Sequence, residues 1–311
     1  MSDFSLVTGI LEAAVERGSV PWAALLVTQG GQDLYAHAVG TDLDHVDVLR
    51  SATKIATVTA LMRLVDRNLI SLDDPASRYI PSFAGEKRDI SVRHLLSMNS
   101  GLPWNCPAFS DEMPLSEAAD VIAKQPLSAA PGARFIYGNL GLTVAGRVAE
   151  VVSGQTWDQY FKEAVADPLG MKFTYSPLAT GRLGGGGRTN LFGYDKLLKM
   201  HLAGGVHEGD QFLSASLVES MQQPNGSAFK NPIKETPFFG YGMGWWFDVV
   251  DNQGRPLVIS DAGTWGAYPW IDRQRRYAAF LFVRSTLAAG SAIVHEVRPV
   301  IEKILEDTHR G

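Results

Sequence analysis

One cysteine in 311 residues, Cys106, removes an internal disulfide from consideration and leaves the redox compartment open. Basic charge is also short. The 28 Lys and Arg face 33 Asp and Glu, a net charge of −5. No cationic excess exists to displace counterions from nucleic acid, so no nucleic-acid partner is expected. No apolar run approaches the roughly 18 residues of a membrane-spanning helix. The opening stretch MSDFSLVTGILEAAVERG sets Phe4, Leu6, Val7, Ile10, Leu11 and Val15 at helical spacing with acids between them. It has neither a basic start nor an unbroken apolar stretch, so it does not read as an export signal. If Met1 is the natural start, the expected compartment is the cytoplasm, with no membrane partner.

Several catalytic signatures are missing too. No Gly-x-Ser-x-Gly elbow occurs, which argues against an α/β-hydrolase. Gly184 to Gly187 lack the Lys-Ser/Thr of a phosphate loop and read as a flexible crossover. Gly240, Gly242 and Gly244 lack dinucleotide-binding spacing. His201, His207, Glu208 and Asp210 match no metalloprotease pattern and read as a helix end, so no metal site is assigned.

What remains is a chain that is 45% hydrophobic and 20% charged, ample for a core without staples. PWAALLVTQGGQDLYAHAVG reads as a hairpin about Gly30-Gly31. Helical periods dominate from about residue 72 to 180. GWWFDVV, PLVIS, GAYPWI and YAAFLFV then read as a meander of three to four antiparallel strands, and AIVHEVRPVIEKILED as a closing helix. The expected fold class is α+β: an antiparallel sheet built from both chain ends, flanked by helices, with an inserted, mostly helical subdomain. The expected division is a discontinuous sheet domain, 1–75 and 181–311, a helical subdomain, 76–180, and an active-site cleft between them.

Ser51-Ala-Thr-Lys54 opens a run in which Ile55, Val58, Leu61, Met62 and Val65 mark one buried helix face. One turn apart, Ser51 and Lys54 can touch. A serine hydroxyl needs a base, and lysine can be that base once burial or a neighbouring cation lowers its pKa. An isolated pair of this spacing is more often a capping serine and a surface lysine. Ser227 and Lys230 repeat the spacing between Gly and Pro, where a helix cannot continue, and read as loop. Tyr137-Gly-Asn139 follows Pro131-Gly132 at a loop-to-helix junction, where both side chains can enter one cleft or serve as a core tyrosine and a cap. Ser260-Asp-Ala-Gly263-Thr264-Trp265-Gly266 lies between two strand signals, with small residues that let the backbone approach a ligand.

In that order these segments resemble the serine hydrolases of β-lactamase fold: class C β-lactamases, penicillin-binding DD-peptidases and related carboxylesterases and amidohydrolases. RSATK, HLLSMNSGLP, PGARFIYGNLGLTVAGRVAEVVSG and PFFGYGMGWW carry the resemblance, from about residue 20 onward. It implies a β-lactamase/transpeptidase-like fold and an acyl-enzyme on Ser51, with Lys54 and Tyr137 sharing the proton transfers. It also implies that Asn139 orients Lys54 and substrate, and that the N–H groups of Ser51 and Thr264 form the oxyanion hole. No cofactor is implied.

Asp261 departs from the resemblance. Most relatives carry Lys, His or Trp there, and in lactamases and peptidases the cation helps bind a substrate carboxylate. If Asp261 lines the cleft with Gly263 and Trp265, it repels that group by a few kcal/mol; if it faces away, it makes only a turn or backbone bond. The first orientation predicts hydrolysis of small esters or amides but not of carboxylate-bearing β-lactams. A β-lactamase or DD-peptidase is the alternative within the class, and a non-catalytic binding module the alternative outside it. Acyl transfer to an acceptor other than water is compatible with the same residues. Trp104, Trp265, Tyr268 and Trp270 are candidates for an apolar acyl pocket, or for core packing. The expected partner is a small ester or amide; the oligomeric state is not legible.

Overall fold

The computed structural model describes residues 3–106, 112–176, 181–226, 229–234 and 236–308; Ser227 of the second Ser-x-x-Lys segment lies outside them. The strands are β1 (Ala23–Gln29), β2 (Gln32–Val39), β3 (Asp47–Val48), β4 (Phe173–Tyr175), β5 (Gly187–Thr189), β6 (Val206–His207) and β7 (Asp210–Gln211). They continue with β8 (Gly240–Tyr241), β9 (Trp246–Val250), β10 (Pro256–Ser260), β11 (Tyr268–Asp272) and β12 (Tyr277–Val283). The helices are α1 (Ser5–Glu16), α2 (Lys54–Asp66), α3 (Val92–Leu96), α4 (Leu115–Ala123) and α5 (Leu140–Ser153). After them come α6 (Trp157–Phe161), α7 (Arg182–Gly185), α8 (Leu191–Leu202), α9 (Ala215–Met221) and α10 (Leu287–Thr308).

The main sheet is antiparallel throughout, in the order β2-β1-β12-β11-β10-β9-β8. Burial explains the order. YAAFLFV is buried at every position and sits in the middle as β12, whereas QDLYAHAV keeps much of its surface and forms the edge. Gly30 and Gly31, at φ 58° and 80°, supply the two left-handed residues of the β1–β2 hairpin turn. The meander expected near the end of the chain is present, and the N-terminal hairpin joins it through pairing of β1 with β12. Chain ends therefore meet in one sheet.

Helices cover the sheet. α8 lies along β1 and β12, with Tyr194 against Phe280 at 4.6 Å and Asp195 accepting from the Thr28 hydroxyl at 3.1 Å. α1 and α10 pack together, α1 through Val7, Leu11 and Ala14 and α10 through Ile293, Val294, Val297, Ile301 and Leu305. His201 of α8 sits in the core on the Thr59 hydroxyl at 2.9 Å, and burial pushes its pKa down to about 3, so it is neutral there.

Between residues 72 and 180 the helical reading is correct in type but not continuous. Long intervals without helix among the described residues separate α3, α4 and α5, and β4 joins β3 and β5 in a second, three-stranded sheet. These strands of two or three residues are too short to show an alternation. They matter because β5 passes directly beneath the Ser51 turn: Leu49 N–H donates to Gly187 O at 2.8 Å, and Gly187 N–H to Thr53 Oγ1 at 2.9 Å.

Candidate active site

Arg50–Thr53 forms one 3₁₀ turn that runs directly into α2, so Ser51 and Lys54 stand at a helix entrance. The turn is held from behind by the Tyr194 hydroxyl, which donates to Ala52 O at 2.6 Å. All nine residues from Lys54 to Met62 are buried, so α2 is a core helix on every side. Lys54 is 1% exposed, which excludes the surface-lysine reading.

A lysine in such a place must spend its three donors. Lys54 Nζ donates to Gly184 O at 2.7 Å, to Asn139 Oδ1 at 3.0 Å and to Ser51 Oγ at 3.4 Å, the last long for a hydrogen bond. Burial lowers the Lys54 pKa to about 8; Asp261 opposes that fall and Arg50 adds to it. The amine is thus close to releasing a proton near neutral pH, with the serine hydroxyl beside it.

Tyr137 faces the same amine: Lys54 Nζ lies 4.8 Å from its ring centroid. Its segment is tied down where Ile136 N–H donates to Met98 O at 2.8 Å. Its ring is held by Trp246 at 4.7 Å and Tyr241 at 6.0 Å. The Tyr137 hydroxyl is buried without a hydrogen bond of acceptable geometry. Burial raises its pKa, the charge of Asp261 adds to the rise, and the nearby Ser51 hydroxyl counters it. Asn139 occupies the N-cap position of α5, yet its side chain makes no cap bond and serves Lys54 instead. The capping reading of Asn139 is thereby excluded.

At the third segment, Gly263 N–H donates to Ala267 O at 2.8 Å and Gly266 N–H to Gly263 O at 2.9 Å, closing a tight turn after β10. A Cβ on Gly263 would stand 2.3 Å from Leu49 O, so only glycine lets this turn press against the Ser51 segment. Thr264 is exposed in that turn, and its N–H reaches no backbone acceptor among the described residues. Helix-start geometry likewise leaves the Ser51 N–H without an intrahelical acceptor.

Asp261 takes the second of its two expected orientations. It is fully buried, and its Oδ2 accepts the Ile55 N–H at 3.0 Å in the first turn of α2. Its side chain is short enough to turn back onto a helix N-terminus, where the helix dipole favours an anion. Burial pushes its carboxyl well above the usual range, against the pull of Lys54 and the N–H groups of Ile55 and Lys54. The direct-repulsion expectation is therefore corrected: the charge acts on Lys54 and Tyr137 from beneath.

The aromatic expectation also divides. Tyr268 and Trp270 are core residues of β11, bonded to Asp248 at 3.0 Å and to the Tyr277 hydroxyl at 3.0 Å. Trp104 is 73% exposed, and Trp265 is half-buried beneath two arginines. The rings actually beside Tyr137 are Phe135, Tyr241 and Trp246.

Gly184 is the site residue the sequence reading missed. Its carbonyl is the shortest partner of Lys54, and a Cβ there would lie 2.3 Å from Asn139 Oδ1. The glycine run is packed against the site rather than crossing over it. A buried lysine needing a third acceptor is a clue, but only coordinates identify a carbonyl.

Fold and site together place the chain in the β-lactamase/transpeptidase-like class. The β-lactamase family matches residues 7–297, nearly the whole chain, and the protein belongs to that family. It is similar to the D-alanyl-D-alanine-carboxypeptidase/endopeptidase AmpH of Escherichia coli K12, at 26% identity over 84% of this chain and 78% of that protein. It is also similar to the lovastatin esterase of Penicillium rubens, at 26% identity over 92% of this chain and 94% of that one. A solved structure from Bacteroides dorei DSM 17855 superposes with a TM-score of 0.88 at 29% identity, covering 96% of this chain and 99% of that one. Relatives in this family are hydrolases. No helix among the described residues is long and apolar enough to cross a membrane.

Proposed function

We propose that the protein is a serine hydrolase that cleaves small esters or amides through an acyl-enzyme on Ser51. The observation that carries the reading is the buried Lys54 amine, its pKa lowered to about 8, with Ser51 Oγ, Asn139 Oδ1 and Gly184 O around it. A structural lysine has no need to abut a serine at a helix entrance. The cleft between residues 76–180 and the sheet part, 1–75 with 181–311, is the proposed substrate site.

In the forward step Ser51 Oγ attacks the carbonyl as neutral Lys54 takes its proton, with the Tyr137 hydroxyl sharing in the proton transfers. The oxyanion is held by the N–H groups of Ser51 and Thr264, and the proton passes to the leaving alcohol or amine. Water, or another acceptor, then releases the acyl group by the reverse proton path. The chemistry asks for no metal or organic cofactor.

A second reading, β-lactam or D-alanyl peptide cleavage, gains from the burial of Asp261, which removes the repulsion argument against carboxylates. The similarity to AmpH points the same way. Mass spectrometry after a fluorophosphonate should find one adduct on Ser51, absent in Ser51→Ala. A panel of neutral esters, amides, nitrocefin and a D-Ala-D-Ala peptide ranks the two readings. No adduct and no turnover across the panel would make the protein a binding module on a hydrolase scaffold.

A further inference from the structure

Arg50 stands immediately before the nucleophile and is exceptional in two respects. Its φ is 53°, a left-handed conformation that residues bearing a Cβ rarely adopt. Its guanidinium has no hydrogen bond or ion pair with any described residue; its contact is the face of Trp265, with Cζ 4.6 Å from the ring centroid. An arginine is charged at every working pH and carries five donors. Here those donors are left to solvent or to a ligand.

The surroundings separate Arg50 from an ordinary surface charge. Trp265 lies next to Thr264 in the turn that Gly263 presses against Leu49, so Arg50 and its aromatic support border the N–H groups of Ser51 and Thr264. Arg284 also lies over the Trp265 ring at 4.5 Å, but its Nη1 is engaged by both Asp47 oxygens at 3.1 Å. Behind the turn, Lys54 and Asp261 are both buried. Arg284 is paired with Asp47, whereas Arg50 has no ion pair among the described residues.

We propose that Arg50, braced on Trp265, is a specificity-determining residue that binds a carboxylate carried by the substrate within a few bonds of the scissile carbonyl. A planar guanidinium held on an aromatic face matches a carboxylate in shape and charge, and stacking keeps it oriented before substrate arrives. The inference rests on the hydrolase reading and reverses the neutral-substrate expectation drawn from Asp261.

The test compares matched p-nitrophenyl esters of valerate and of glutarate, and butyrate esters of phenol and of 3-carboxyphenol. Each kcat/KM is divided by the ester's own rate with hydroxide. The readout is the anionic-to-neutral ratio, which a general loss of activity does not move. The wild type should favour the anionic member of at least one pair about tenfold or more. Arg50→Gln should erase that preference, Arg50→Lys should keep part of it, and Arg50→Glu should invert it. Added salt should compress it in the wild type. A ratio unchanged in Arg50→Gln, or no preference in either pair, overturns the inference while leaving the hydrolase intact. If no ester turns over and Ser51 takes no fluorophosphonate, the hydrolase reading fails and this inference with it.

Discussion

Replacing Asp261 by Asn removes a buried negative charge and keeps an acceptor for the Ile55 N–H, so it probes how that charge sets the base. Asp261 Oδ2 is 3.0 Å from Ile55 N, and an extended lysine reaches roughly 6 Å from its Cα, so the two charges lie within about 12 Å. At an effective dielectric of ~20 the attraction is then at least ~1.4 kcal/mol, or about one pKa unit. The two groups titrate as a pair, and removing the acid leaves a lysine that sheds its proton more readily. With a wild-type pKa of about 8 for Lys54, about one molecule in eleven has the neutral amine at pH 7; one unit lower, about half do. The acid limb of kcat/KM for a neutral p-nitrophenyl ester should therefore move at least about one pH unit toward acid. Activity at pH 7 should rise about fivefold relative to the alkaline plateau, which itself does not rise. Stopped assays from pH 5 to 10, with fluorophosphonate labelling of Ser51 as a folding control, measure both. An acid limb that stays in place, or moves toward alkali, refutes the claim that an ionised Asp261 acts on the base.

Lys54→Met should cut acylation about a thousandfold or more, yet change stability by less than ~2 kcal/mol: holding a charged Lys54 at a pKa of about 8 against 10.5 costs ~3 kcal/mol, which offsets the two acceptors it orphans. The depressed pKa also fixes a sign, since between pH 8 and 10.5 the unfolded chain holds the Lys54 proton and the native state does not. Wild-type stability thus gains from this group as pH rises through that window, and the gain should vanish in Lys54→Met denaturant titrations. Tyr137→Phe should lose ~1 kcal/mol or less in the same titrations, because the hydroxyl has no hydrogen bond to give up; its turnover should fall about a hundredfold or more. Gly184→Ala places a Cβ 2.3 Å from Asn139 Oδ1, so kcat should drop at least about tenfold with KM nearly constant; a variant with wild-type kcat would mean that the Lys54 cradle does not need this close approach.

How much of this was legible depends on whether a residue's role follows from its type or from its reach. Ser51, Lys54, Tyr137 and Asn139 were legible as an ordered set of segments, and the structure brings the last three together around one amine with Ser51 beside it. β1, β2 and the meander were legible because long apolar runs and a Gly-Gly turn leave little choice. β3, β4 and β5 were not, since their pairing depends on the fold rather than on any pattern of their own. Gly184 escaped notice because its contribution is a carbonyl and the absence of a side chain.

Asp261 was read in two orientations, and the structure shows the one that makes a backbone bond. The repulsive orientation rested on its charge alone, whereas its length lets it reach the α2 N-terminus, where it accepts the Ile55 N–H and raises the proton affinity of Lys54. Arg50 shows the converse: nothing in LRSATK distinguishes it from a solvated arginine, but a left-handed backbone and the Trp265 face hold it beside Ser51. On the proposed reading, the charge a substrate meets at this site would be set less by the residue in the third segment than by the one preceding the serine. Arg50 and Asp261 act in opposite directions on Lys54, the first lowering its pKa and the second raising it. Losing Arg50 should therefore weaken carboxylate binding and also move the acid limb toward alkaline pH, opposite to the shift expected for Asp261→Asn.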